Sequence, residues 1–280
     1  MPTARAAALP HDLLARICSF LPPGDAALTV PRLSKAWAAA AAPRVADVRA
    51  EVAAALPHDL LARICSFLPP GDAALTLTEE QRWRAAARAA FHGDLAVLGW
   101  ALPQLDAADA LYCDAAAAGG QLEALQYARA LGCAWCNRAC SAAAEGGHLA
   151  VLQWGRAQDP PCPWDAGTCS AAAGGGHLAV LQWARTQDPP CPWSIGTCAA
   201  AAGGGHLAVL QWLRAQQPPC PWHEWTCVLA ARKGHLAVLQ WARAQDPPCP
   251  WNPTDCLEWA SDDATAEWIR AQAALEGVEL

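Results

Sequence analysis

The sequence predicts an all-α protein: a small N-terminal helical module followed by a helical-repeat solenoid of about seven units. Two observations carry this reading. The string His-Leu-Ala-Val-Leu-Gln-Trp begins at His148, His177, His206 and His235, with a spacing of 29 each time. Each copy is punctuated by Gly-rich turns and Asp/Gln-Pro-Pro stops. Self-similarity at a fixed period of this size marks an array of supersecondary units.

The unit reads directly from its residues. Cys162-Pro163-Trp164 opens one copy, and Thr168-Cys169 with an alanine run follows. Alanine favours helix, and Gly174-Gly175-Gly176-His177 ends it. Leu178, Val180, Leu181 and Trp183 then supply the apolar stripe of a second helix, leaving Gln182 and Arg185 to face water. Asp188-Pro189-Pro190 stops that helix, because proline lacks the amide and clashes with the preceding turn. Weaker copies start at Asp94 and Gln121, and a degraded one ends at Trp268. One unit cannot bury its apolar face alone, so neighbours must stack.

The repeated cysteines and histidines raise the possibility of zinc in every unit. The position of His177 is Asp94 and Gln121 in the first two units, however, and glutamine is a poor zinc ligand. The cysteines at 113, 140, 169, 198, 227 and 256, and at 133, 162, 191, 220 and 249, therefore read as small buried side chains. Cys133-Ala-Trp-Cys136 is a lone CxxC without a second pair. The tryptophans at 154, 183, 212 and 241 are assigned to the core, and those at 135, 164, 193, 222 and 251 to packing under the finger loops. The paired glycines of the turns are expected to weaken the array, by about 1 kcal/mol for each one replacing a helical alanine.

A short helix, a tight turn, a second helix and an extended finger resemble the ankyrin repeat, clearest at Thr226 to His235 and the Leu-x-Val-Leu that follows. The units are 27 or 29 residues long, shorter than the ankyrin consensus of about 33. The resemblance implies a protein-binding solenoid over residues 85–280.

The N-terminal third opens with a helix whose Leu9, Leu13, Leu14, Ile17, Phe20 and Leu21 share a face, ended by Pro22-Pro23-Gly24. Leu-Pro, Leu-Leu-x-x-Ile-x-x-Phe-Leu, Pro-x-Asp and Ser34-Lys35-x-Trp37 together resemble the F-box. That resemblance implies docking on the adaptor of a cullin–RING ubiquitin ligase through Leu9, Pro10, Leu13, Leu14, Ile17, Leu21 and Leu28. Residues Ala6 to Thr29 recur unchanged as Ala53 to Thr76. The organisation is then a disordered N-terminus over 1–8, an F-box-like module over 9–43, a linker or helix over 44–55, a second F-box-like segment over 56–84, and repeats over 85–280.

Function follows as an expectation. The chain recruits a substrate to a ubiquitin ligase, with the repeats holding an unidentified protein target. The alternatives are a scaffold with no ubiquitin role and, third, a zinc-binding repeat protein. No nucleophile, base and orienter stand out against the repeat background, so no enzyme activity, catalytic residue, metal or cofactor is expected. The finger tips and the unit at 226 vary most between copies, which nominates His223, Glu224, Trp225, Val228, Leu229, Arg232 and Lys233 for target binding. A net charge of −7 without a basic stripe argues against nucleic acid or a membrane as partner. With no signal peptide or spanning segment, the chain is expected to be cytoplasmic or nuclear and not secreted.

Overall fold

A computed structural model of the chain describes residues 79–105 and 109–280. The F-box-like copies up to Thr78, with the adaptor-facing residues Leu9 to Leu28, lie outside the described residues. Two compact units divide the chain, residues 1–90 with 94–107, and residues 91–93 with 108–280. The first holds most of α1 (Glu79–His92), together with α2 (Leu95–Ala101) and a 3-10 turn at Leu102–Gln104.

The second unit is an all-helical array. Its helices are α3 (Leu111–Ala118), α4 (Leu122–Ala130), α5 (Asn137–Glu145), α6 (Leu149–Arg156), α7 (Ala166–Gly174) and α8 (Leu178–Thr186). They continue as α9 (Ile195–Gly203), α10 (Leu207–Ala215), α11 (Glu224–Arg232), α12 (Leu236–Arg243), α13 (Pro253–Glu258) and α14 (Asp263–Leu275). Each odd-numbered helix turns back into the even-numbered one that follows it. No strand occurs among the described residues.

Side-chain size explains the layering. The odd-numbered helices α5, α7 and α9 are mostly Ala, Cys, Thr, Ser and Gly, so the axes approach closely, and each odd-numbered helix packs directly on the next. The even-numbered helices pack mainly on their own partners. Their Val151-Leu152, Val180-Leu181, Val209-Leu210 and Val238-Leu239 pairs fill the space between the layers and are almost wholly buried. Each such leucine contributes about 1.5–3 kcal/mol through burial.

The turn between the paired helices is a Schellman motif. His177 N donates to Ala172 O at 2.8 Å, and Gly176 N donates to Ala173 O at 3.2 Å. Gly176 adopts φ +78°, where an L side chain is strained. Gly175 is there for space: a Cβ on it would lie 2.4 Å from the Glu145 carbonyl of the preceding helix. The glycines expected to weaken the array are thus what allows its units to stack.

Histidine joins the units. Nε2 of His148, His177 and His206 donates to Ala118 O, Glu145 O and Gly174 O at 3.0, 2.8 and 2.9 Å. Those carbonyls end the previous odd-numbered helix, whose last turn has no internal partner for them. In the unit of α11 the first turn glycine is replaced by Lys233, and the matching bond from His235 to Gly203 O lengthens to 3.2 Å. These rings are spoken for as inter-unit hydrogen-bond donors, and zinc is not needed to explain them. Among the described residues no group of three or more His, Cys, Asp or Glu is placed to hold a metal ion.

The repeated cysteines are buried reduced thiols, as the repeat pattern implied. The Sγ atoms of Cys140, Cys169 and Cys198 lie 3.8, 3.8 and 3.7 Å from the carbonyls of Cys162, Cys191 and Cys220 in the finger that follows. Burial pushes the Cys256 thiol up to about 12. A thiol so far from its thiolate is chemically inert at neutral pH.

Candidate binding surface

Fingers connect each even-numbered helix to the next unit, and one arginine organises each. Cys191 N donates to Ala184 O at 3.0 Å, which returns the finger to the end of α8. Arg185 Nη1 then donates to the Cys191 carbonyl at 2.7 Å. Its guanidinium lies 4.0 Å above the Trp193 ring, which meets Trp212 edge-on at 6.3 Å. The same set recurs at Arg129, Arg156, Arg214 and Arg243, stacked over Trp135, Trp164, Trp222 and Trp251. Gln158, Gln187, Gln216 and Gln245 close the even helices by donating to the carbonyls of Trp154, Trp183, Trp212 and Trp241.

Two sequence expectations change here. Arg185 is half-buried and engaged, whereas Gln182 does face water. Both tryptophan series are half-buried and stack on each other along the finger side, so the core belongs to Val, Leu, Ala and Cys. Indole is too large for the space between closely stacked small-residue helices, and its N–H favours a margin with water access. Arginine recurring at the 29-residue period, two residues after tryptophan, was the signal that could have found these sets.

The last unit differs. Glu276, just past α14, accepts from Arg243 Nη2 at 2.7 Å on each oxygen and from Trp251 Nε1 at 2.9 Å. Burial alone pushes the Glu276 carboxyl up, but hydrogen bonds from Arg243, Gln272 and Trp251 outweigh that and hold it below its ordinary value. A carboxyl held lower in the folded chain stabilises the fold above its unfolded pKa, and that contribution disappears as pH falls through the folded value. The unfolding free energies of wild type and Glu276→Gln should therefore differ at about pH 7, by ~1 kcal/mol or less for so exposed a pair. The difference should shrink as pH falls to about 2, where protonation leaves the Glu276 carboxyl as uncharged as the glutamine amide. Urea titrations at both pH values measure it, and a difference unchanged by pH contradicts it.

The candidates around α11 separate into two groups. Trp225, Leu229 and Arg232 follow at intervals of four and three and share one helix face. Trp225 is 53% exposed, Leu229 is half-buried, and Arg232 and Lys233 are exposed. The Arg232 guanidinium lies 5.0 Å over Trp259, itself 47% exposed, on the following unit. Val228 is a correction: at 3% exposure it packs between the stacked odd-numbered helices and is not available to a partner. It replaces Ala199 and Ser170 at the position facing the following helix, where Ser170 Oγ meets Thr197 Oγ1 at 3.2 Å. His223 and Glu224 open the helix, with His223 N donating to Thr226 Oγ1 at 3.4 Å. Trp259 was not anticipated, because the degraded repeat around it hid its register, whereas the exposed Ile195 sits at one of the variable finger tips.

No family model matches the chain, and no characterised protein sequence matches it. Solved structures do. One is the pentatricopeptide repeat protein PPR10 in complex with an 18-nt psaJ RNA element, at 16% identity and a TM-score of 0.42. The match covers 96% of this chain and 43% of that one. A triple cysteine-to-serine variant of the same protein, also in complex with an 18-nt psaJ RNA element, matches with the same values. This chain spans less than half the length of those structures. The exclusion of nucleic acid as a partner is corrected by these matches, which are to a helical-repeat protein holding RNA. The exclusion rested on net charge, and a sum over the chain does not describe a local surface such as Arg232 and Lys233.

Proposed function

We propose that the chain is an interaction scaffold whose helical array holds a macromolecular partner and carries out no reaction itself. The observation that supports this is the stripe of exposed Trp225, half-buried Leu229 and exposed Arg232 with exposed Lys233 and Trp259. Large aromatic side chains left in water beside cations are what binding hot spots use. At the matching positions α7 and α9 carry Gly167, Ala171 and Gly174, and Gly196, Ala200 and Gly203, so the anchor is local to one unit. A second reading makes the scaffold a substrate-recruiting subunit of a ubiquitin ligase, on the strength of the motif from Leu9 to Trp37 alone.

One experiment addresses both. Partners captured from a lysate by the full chain are compared with those captured by Trp225→Ala/Arg232→Glu and by Leu13→Arg. The double variant should lose its partner by about tenfold or more, at about 1–2 kcal/mol per anchor. An unchanged profile with the double variant removes this surface from the proposal. Loss of one common partner with Leu13→Arg supports the ligase reading, and identical capture rejects it.

A further inference from the structure

The finger side carries the inference. In the last unit the Arg243–Trp251 pair holds a carboxylate supplied by the chain itself, Glu276. Every polar contact of that carboxylate is a donor: Arg243 Nη2 to both oxygens, Trp251 Nε1 to Oε2, and Gln272 Nε2 to Oε1 at 2.8 Å. Arg243 is prepared for it, since Nη1 is already committed to the Cys249 carbonyl at 2.5 Å and the ring of Trp251 supports the guanidinium plane.

The preceding units repeat this preparation. Arg156, Arg185 and Arg214 each donate Nη1 to the finger carbonyl at 2.7 Å, and Arg129 does so to Cys133 O. Their guanidinium centres lie 4.0–4.2 Å above Trp135, Trp164, Trp193 and Trp222. Among the described residues no carboxylate reaches these four guanidinium groups, and all four arginines and their tryptophans are half-buried, not covered. A guanidinium with a free edge beside an indole N–H is a preorganised receptor for a planar anion.

We propose that the four Arg–Trp forks are a row of carboxylate receptors that binds an acidic peptide, and that Glu276 occupies the fifth from within the chain. Packed helices lie about 8–10 Å apart, and an extended chain advances about 3.3–3.6 Å per residue. Carboxylates at every third residue of a strand would therefore fall in step with successive forks. Each fork is weak by itself, and the row gains affinity because the forks are linked. The forks share no residue with the α11 stripe, and this proposal stands or falls independently of it.

Fluorescence anisotropy with the full chain tests the idea, using a labelled peptide with glutamate at every third residue, its glutamine analogue and a labelled oligouridine. The glutamate peptide should bind and its glutamine analogue should not. Arg156→Gln/Arg185→Gln/Arg214→Gln should weaken binding by about tenfold or more. Trp193→Phe/Trp222→Phe keeps an aromatic ring for the arginine but removes the N–H together with the five-membered ring, and should weaken it about threefold. Glu276→Gln opens the fifth fork and should strengthen binding severalfold. If circular dichroism shows that the arginine variant is unfolded, the other two variants decide. Equal binding of the glutamine analogue overturns the proposal. So does an arginine variant that folds and binds as wild type, or no change in both the tryptophan and Glu276 variants. Tighter binding of oligouridine than of the peptide at equal salt, lost with the arginines, overturns it in favour of phosphate.

Discussion

Gly176→Ala should cost about 2–3 kcal/mol of unfolding free energy, and Gly132→Ala about 1–2 kcal/mol. Both glycines adopt positive φ, +78° and +89°, so both substitutions incur the left-handed strain of an L residue. They differ in what surrounds them. A Cβ on Gly132 meets nothing within 4 Å, whereas one on Gly176 lies 2.6 Å from the His206 ring. That ring is the donor that ties the next unit to Gly174 O. The excess of the first substitution over the second therefore measures the coupling between neighbouring units, which decides whether the array unfolds as one body. Urea unfolding followed by circular dichroism gives both numbers. Equal losses would mean that histidine and turn do not couple the units.

The second large effect lies in the interlayer core. Leu210→Ala should destabilise by about 3–4 kcal/mol, because the side chain is fully buried and the rigid helices around it cannot close the cavity. Leu213→Ala, equally buried, should cost about half as much. The array contains the reason: Ala184 and Ala242 occupy the matching position in the neighbouring units, and Gly155 does so in α6. Backbones that already pack around a smaller residue have a known way to relax. Thermal unfolding with both variants checks the order, and a larger loss at Leu213 contradicts it. Because the contacts run between nearest neighbours, a lesion in α10 should also split the transition in two.

Much of the fold was legible because the chain repeats. The period exposed the helix pair, the proline stops and the glycine turns, each of which acts locally through missing amides or permitted φ values. The burial of Cys169, Cys198 and their equivalents was legible for the same reason. Trp225, Arg232 and Lys233 stood out because they break the pattern, and they are exposed. Val228 breaks the pattern too, and it is buried. Departure from a repeat says that a residue is special to its unit, and not which side of the helix it faces.

Glu276 marks the opposite case. By sequence it is one acid among several near the C-terminus, 33 residues beyond Arg243, and nothing local relates the two. The return of α14 alongside the last finger brings them together. The same holds for His177 and Glu145 O, 32 residues apart. By itself the sequence determined the helices, their ends and the fact of stacking, since these follow from backbone chemistry and apolar period within one unit. Only the tertiary structure decided which polar groups meet between units: the histidine that closes its neighbour's helix, and the arginine fork that takes a carboxylate. Those pairings depend on the offset between stacked helices, and that offset is set by side-chain volumes summed over two layers, which no single stretch of sequence contains.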